Sequence, residues 1–465
     1  MQFTKKVLHS LLLVIVLTLT TVGTALANSI TGPSSSQSPY LLRKPYRLVG
    51  ITDGLGAFDN GDGTFTLLVN HEIPNGLGEI RAHGAPGAFV SKWIVSTKDL
   101  TVLSGEDLIE SVLVWNTTTH QYELATVAQK TLLRLCSADL PEVSAFYDSA
   151  SGLGYNGRIF MNGEESGSEG RAFAHFLDGT SYEVPWLGKF SWENSIANPA
   201  TGISTVVAGT DDTTGGQVYF YVGKKTFSSN PVDAAGLTNG NLFSIKVDGL
   251  DTEDNSTVLS GPTPFTAYNF GDVSAWTGAQ LEAASKDASG AFRVTSFNRP
   301  EDGAWDPNNP NDFYFVTTAS FTGMSRLWRV HFNDPANPAA GGTVEILLDG
   351  SEGQKMMDNL TINHRGQLVI QEDPGNQPYF AKIWLYDIAK DKLTEIAHHD
   401  PDRFAPGATN FLTQDEESSG IIDASSILGE GWYLLDQQAH YAIPGELVEG
   451  GQLLALHIST GKNSK

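Results

Sequence analysis

The sequence predicts an all-β chain, a six-bladed β-propeller, and two observations carry that expectation. One pattern recurs six times beyond residue 40. A small or acidic residue opens a short apolar strand, an Asp/Asn/Gly turn follows, a second apolar strand ends in polar residues, and a third strand comes after a loop. The composition agrees: 48 Gly, 23 Phe, 14 Tyr and 9 Trp describe many short strands joined by tight turns. Radial repetition leaves few strand edges exposed, a requirement for a β-rich chain of this length.

The first copy opens at Asp53-Gly54, turns through AFDNGDG into TFTLLVNHE and continues as AFVSKWIVS. The second runs from CSADLP to RIFMNGEE and RAFAHFLDG. The third starts at Trp192-Glu193-Asn194, passes NPATG, and gives STVVAGTDD and QVYFYVGKK. RPEDGAWDPNNP, DFYFVTTAS and SRLWRVHF make the fourth. MDNLTINHRG, QLVIQED and AKIWLYDIAKDKL make the fifth. SSGIIDASSILGEG, WYLLDQQAHY and QLLALHI make the sixth. The starts are roughly 73 residues apart, against ~40–50 in common propeller repeats, so long loops are expected. A large β-sandwich or a pair of β domains is the alternative architecture.

Ahead of this domain (residues 41–465) lie two processing segments. Lys5 and Lys6, the unbroken apolar run Leu11 to Leu17, and Ala25-Leu26-Ala27 form the three parts of a secretory signal over residues 1–27. Residues 28–40, rich in Ser, Pro and Gly, form a short leader. The apolar run falls short of the ~20 residues that a membrane span needs, so no anchor is expected. No cysteine stands directly after the cleavage site, and no twin-arginine pair precedes it. A periplasmic or extracellular location by the general secretory route follows.

Charge narrows the partners. With 53 Asp and Glu against 29 Lys and Arg, the formal charge is −24. Nucleic acids and anionic membranes need a basic face, so the acidic excess disfavours both and neither is expected as a partner. An acidic excess suits hard cations such as calcium. The single cysteine, Cys136, rules out an internal disulfide. It is either a small buried hydrophobe or a metal ligand.

In a propeller the innermost strands line a channel and begin at one face. Those beginnings carry Asp53, Cys136 or Asp139, Glu193, Glu301, Asp358 and Glu417. The polar ends of the next strands return to that face with Asn70, His71, Glu72, Glu164, Glu165, Asp211, Asp212, Glu372, Asp373 and His440. Carboxylates so crowded raise one another's pKa values, and bound cations relieve them. Oxygen donors suit calcium; a thiolate among carboxylates suits a transition metal. Arg299, two residues before Glu301, is either an ion-pair partner of these acids or a clamp on an anion.

The chain resembles the PhoX-type alkaline phosphatase family. The carrying motifs occur in order: DGLGAFDNGDGTFTLLVNHE, NGEE, GKFSWE, RPEDG, and MDNL followed by a G-x-L-x-I-x-E-D segment. The resemblance covers nearly all of the chain after the signal. It implies a six-bladed propeller with iron and calcium at the channel mouth, hydrolysing phosphomonoesters. It implies Cys136, Glu193 and Glu301 as iron ligands. It implies Asn70 and Arg299 as phosphate holders, with Lys92 assisting, and Glu72, Glu164, Glu165, Asp211 and Asp212 as further metal ligands or their supports. The chain departs from the family in lacking a twin-arginine signal and in placing its acidic pair after Asn-Gly.

The expected function is therefore an exported, metal-dependent phosphomonoesterase, monomeric, acting on a small phosphate ester. A non-enzymatic calcium-stabilised binding propeller is the alternative from another class. A phytase-like or lactonase-like propeller hydrolase is the alternative among enzymes. No Ser/His/Asp triad or Gly-x-Ser-x-Gly elbow is evident.

Overall fold

The computed structural model describes residues 46–459 and the backbone of 15–18. The expected leader and nearly all of the expected signal lie outside the described residues. Within the signal's apolar run, the backbone of Ile15–Thr18 pairs antiparallel with residues 454–457. Among the described residues no helix is long and apolar enough to cross a membrane.

The chain is all-β and propeller-like. Its first sheet is a meander of Thr52–Asp59, Thr64–His71, Phe89–Ser96 and Val102–Asp107. The DNGDG turn explains the tight first hairpin. Asp59 Oδ1 accepts the Gly61 N–H, Asp62 Oδ1 accepts the Thr64 N–H, and Gly61 and Gly63 take positive φ, 75° and 89°. Residues 65–71 are buried on both faces, since the sheet lies between neighbours.

A second sheet contains Leu135–Asp139, Ile159–Glu164, Ala172–Phe176 and Thr180–Glu183. Ser111–Asn116, running parallel to Thr180–Glu183, and Gln121–Leu124 extend it. Next come Trp192–Ala197, Ser204–Asp211, Val218–Lys224 and Asn241–Val247. Thr263–Gly271 joins this group edge to edge with Pro300–Trp305, Asp312–Thr317, Arg326–Phe332 and Gly342–Leu348, giving one nine-stranded sheet. Met357–Ile362, Gln367–Glu372, Lys382–Asp387 and Lys392–His398 form another meander. Glu416–Asp423, Trp432–Ile443 and Val448–His457 form the last sheet.

The innermost strands pack in a cycle. The Thr52 strand touches those of Leu135 and Glu416. The Trp192 strand touches those of Leu135 and Pro300, and the Met357 strand those of Pro300 and Glu416. The cycle is tight enough to demand glycine. A Cβ on Gly54 would lie 2.2 Å from Ala138 N, and one on Gly420 would lie 2.4 Å from Asp53 O. Aromatic layers fill the wedges between sheets. Phe190 stacks on Trp192 and Tyr219 at 3.9 and 4.6 Å, and Phe297 meets Phe315 and Trp328 edge-on at 5.1 and 5.3 Å.

Candidate metal centre

One backbone hydrogen bond repeats in all six strand sets and fixes the geometry of the mouth. The residue after the second strand, or in the last sheet His440 within it, donates its N–H to the carbonyl of the residue just before the inner strand. The pairs are Glu72 to Ile51, Glu165 to Arg134, Asp212 to Ser191, Thr318 to Arg299, Asp373 to Met356 and His440 to Asp415, at 2.8–3.0 Å. Four of the six acceptors, Ile51, Arg134, Arg299 and Met356, hold positive φ although none is glycine. Such backbone is strained and persists where its surroundings fix it.

One residue further along, the inner strands bulge. Two residues of the inner strand face one of its partner at Asp53–Gly54, Cys136–Ser137, Glu193–Asn194, Glu301–Asp302 and Asp358–Asn359. A bulge frees the extra residue from the ladder and re-aims its side chain. In the last sheet the irregularity falls just after Ser418, beyond the equivalent Glu417. Position two of each inner strand is thus Asp53, Cys136, Glu193, Glu301, Asp358 or Glu417, all buried.

These side chains converge. Asp53, Glu72 and Cys136 place ligand atoms within 4.8 Å of one another, as do Cys136, Glu165 and Glu193, and again Glu193, Glu301 and Asp358. Cys136 and Glu193 are each shared by two groups, so the three form one continuous line. Glu417 joins it through Gln438, whose Nε2 reaches Glu72 Oε2 at 3.2 Å and Glu417 Oε1 at 3.3 Å. The neighbouring bulge residues act as struts. Asn194 Nδ2 donates to Asp302 Oδ1 at 2.6 Å, the Leu360 N–H to Asp302 Oδ2 at 3.0 Å, and Asn359 Nδ2 to Asp53 Oδ1 at 3.2 Å.

Burial raises the pKa of Asp53, Glu165, Glu193, Glu301 and Asp358, and repulsion from neighbouring acids adds to it. Asp53 is driven well up by burial, then by Glu193 and Glu417. Burial likewise lifts Glu301, with Asp212 and Asp358 adding to it, and Asp358, with Glu193 and Glu417 adding. Glu193 is pushed up to about 8 by burial, against hydrogen bonds from Cys136 and Ser137. The Cys136 thiol is raised by burial and by Asp53, whose Oδ2 accepts its S–H at 3.2 Å. Glu193 Oε1 and Glu301 Oε1 have no hydrogen-bond donor. Glu301 Oε1 lies 3.1 Å from Arg299 Nη2 but outside hydrogen-bond geometry. Buried carboxylate oxygens without donors, beside a thiol, are the donor set a cation centre requires.

Of the residues singled out from sequence, Glu72, Cys136, Glu165, Glu193 and Glu301 come together here. Asp53 and Asp358, placed at the mouth by the repeat but not by the family resemblance, join them. Glu164 stands apart: Arg171 grips both its oxygens, Nε to Oε2 at 2.7 Å and Nη2 to Oε1 at 2.6 Å. Asp211 is outside the groups and accepts from the Thr213 hydroxyl. Asp212 holds Arg299, accepting Nε at 2.7 Å and Nη2 at 2.8 Å. Asn70 is a fully buried strut between the first two sheets. Its Nδ2 donates to Cys136 O at 2.7 Å, and its Oδ1 accepts from Asn162 at 2.9 Å. Lys92 pairs with Glu106, 2.6 Å away on the next strand outward.

Sequence reasoning passed over Arg134. Its Nε lies 2.7 Å from Glu72 Oε1, and its Nη2 lies 2.6 Å from Glu165 Oε2. The available signal was spacing: Arg134 precedes Cys136 by two residues, as Arg299 precedes Glu301.

No protein-family model and no curated protein matches the sequence. Among solved structures the chain is similar to Pseudomonas fluorescens PhoX in complex with vanadate, a transition state analogue. The identity is 11%, the TM-score 0.61, and the match covers 88% of this chain and 89% of that one. A putative 6-phosphogluconolactonase from Bacteroides uniformis aligns at 13% identity and TM-score 0.34 over 73% of this chain and 82% of that one. The β-propeller domain of the Trilobed protease from Pyrococcus furiosus aligns at 6% and 0.34 over 90% and 100%. The likeness to PhoX shows a shared propeller-like fold.

Proposed function

We propose that the chain is an exported, metal-dependent phosphomonoesterase with its site at one mouth of a six-bladed β-propeller. The observation that carries the reading is the line of three overlapping groups, Asp53–Glu72–Cys136, Cys136–Glu165–Glu193 and Glu193–Glu301–Asp358. Six blades are supported by the cycle of six inner strands and by the backbone bond repeated in each strand set. The vanadate held by the PhoX structure stands in for a phosphoryl group in transfer, and the same chemistry carried to this chain gives the mouth its substrate.

The groups containing Cys136 suit a transition metal such as iron, because a thiolate is a soft donor. The oxygen-only group Glu193–Glu301–Asp358 suits calcium. Cations held there would neutralise a phosphoryl group and activate an oxygen nucleophile. The chain's own residues do the rest. Asn359 holds Asp53, and the hydrogen bonds of Asn194 and the Leu360 N–H to Asp302 tie together the bulges that carry Glu193, Glu301 and Asp358. Arg299 stays charged because Glu301 and Asp212 outweigh the effect of its burial. Its side chain is 30% exposed, so an arriving phosphate can take over donors now spent on Asp212.

The test is hydrolysis of a simple aryl phosphomonoester by protein purified from its exported fraction, together with metal analysis. Hydrolysis accompanied by bound iron and calcium supports the reading. Calcium alone, with no hydrolysis when iron is supplied, overturns it in favour of a binding propeller. Turnover of phytate or a lactone instead would move the assignment within propeller hydrolases. Sequencing the mature N-terminus tests export, with Asn28 as the expected first residue.

A further inference from the structure

Arg134 and Arg299 occupy the same place in two different strand sets. Each directly precedes its inner strand, and each accepts the repeated backbone hydrogen bond described above. Each holds positive φ, 34° and 63°. Each reaches back to the polar residue of the preceding strand set. Arg134 Nε meets Glu72 Oε1 and Arg299 Nε meets Asp212 Oδ1, both at 2.7 Å. Each also touches an acid of its own set, Glu165 at 2.6 Å and Glu301 at 3.1 Å.

The two flank one residue. Glu165 shares a group with Glu193, and Glu193 shares the next with Glu301. The Arg134 side chain is 48% exposed and that of Arg299 30%. A purely structural pair in this protein looks different: Arg326 and Glu253 meet at 2.8 Å with 1% and 0% exposed. An arginine that only neutralised buried acids would gain nothing from strained backbone and a side chain left part-exposed.

We infer that Arg134 is a second anion-binding residue, and that the mouth grips a terminal phosphoryl group from two sides, Arg134 on one and Arg299 on the other. This rests on the phosphomonoesterase reading of the mouth. Two guanidinium forks suit the dianion of a phosphomonoester, whose three terminal oxygens can accept from both. A phosphodiester offers only two free oxygens, so the chemistry selects monoesters.

The experiment is calorimetric titration of the metal-loaded full chain with inorganic phosphate, with metal content measured on each sample. Arg134→Ala should weaken phosphate about ten- to a hundredfold, the range for losing hydrogen bonds to a charged group, with metal content kept. Arg134→Lys, which keeps the charge but loses the fork, should fall between that variant and the parent. KM for an aryl phosphomonoester should rise in the same order. Parent-like phosphate affinity in Arg134→Ala overturns the inference, leaving Arg134 as an ion-pair partner of Glu72 and Glu165. If Arg134→Ala sheds metal, Arg134→Lys decides: weaker phosphate at full metal supports the inference, and unchanged phosphate overturns it. A parent that binds no phosphate at all overturns the phosphomonoesterase reading itself, and this inference falls with it.

Discussion

Removing cations from this protein should lower its stability more at pH 8 than at pH 5.5. Three acids of the mouth have folded-state pKa values raised by burial: Glu193 to about 8, Asp373 to about 7, Asp302 to about 6. The cation-free folded chain therefore holds protons that the unfolded chain releases from about pH 4 upward. Its stability is greatest below that pH and declines as pH climbs through the folded-state values. A tenfold change in proton affinity is worth about 1.4 kcal/mol, so ionising Glu193 alone opposes folding by several kcal/mol at pH 8. Each cation present at about a hundred times its Kd restores about 2.7 kcal/mol. For a chain of this length the unfolding entropy is roughly 0.9 kcal/mol per kelvin, which gives about 3 °C per cation. Two cations should then hold the midpoint about 6 °C above that of the chelated protein at pH 8. At pH 5.5 protons take over the cations' role and the gap should shrink to a degree or two. Scanning calorimetry with and without excess chelator at both values measures it. Equal midpoints at pH 8, or a larger gap at pH 5.5, would refute the argument that cations hold these mutually repelling carboxylates together.

Further outcomes follow from single contacts. Cys136→Ser keeps the size of the side chain but removes the soft donor, so the variant should fold and lose its transition metal; full metal content and activity would make the thiol mere packing. Arg299→Lys should slow monoester hydrolysis substantially and Arg299→Ala by about a hundredfold or more, with metal content nearly intact, as read by steady-state kinetics beside metal analysis. Arg171→Ala leaves the Glu164 carboxylate buried without its fork. That should cost about 3–5 kcal/mol in denaturant unfolding while metal content persists, whereas metal loss at unchanged stability would make Glu164 a ligand after all.

The inner strands were legible because their repeat survives as a pattern of small or acidic residue, apolar run and Asx/Gly turn. Asp53, Glu193, Glu301, Asp358 and Glu417 could be aligned from the sequence to one position of that repeat, and they occupy it; between Cys136 and Asp139, which the sequence left open, Cys136 takes the position. The strands between the copies were not legible. Ser111–Asn116 runs parallel to Thr180–Glu183, and Thr263–Gly271 bridges two strand groups. Composition marks such segments as strands but says nothing of a partner some 70 residues away. Adjacent acids were the other blind spot. In Glu164-Glu165 and Asp211-Asp212 one residue ends the strand and the next starts the turn, and neighbours on a strand face opposite ways. Glu165 joins the mouth and Glu164 turns to Arg171, a division that the bare pair Glu-Glu cannot reveal. The contacts of Asn70 were hidden for a related reason. It lies opposite the Asp53–Gly54 bulge, where its amide is drawn into bracing Cys136 O.

A repeated scaffold supplies equivalent positions, and the departures from equivalence decide what the mouth can bind. The donors of the repeated backbone bond are Glu72, Glu165, Asp212, Thr318, Asp373 and His440, so four of the six are acids. The two exceptions change the local field. Burial opposes a charge on His440, yet contacts with Glu417 and Glu449 hold its pKa up to about 11, making it a cation at neutral pH. Thr318 is neutral and belongs to the strand set of Arg299. Arg299 therefore has no acid at its own set's position and must reach across to Asp212, whereas Arg134 has Glu165 at its own and Glu72 across. Arg299 is accordingly the less committed of the two guanidiniums, with its one forked partner in a neighbouring strand set. An anion entering on the Thr318 side meets no carboxylate at that position to repel it. The same asymmetry orders the two arginines: phosphate should displace Asp212 from Arg299 more readily than Glu72 and Glu165 from Arg134. Losing Arg299 should therefore weaken phosphate more than losing Arg134 does.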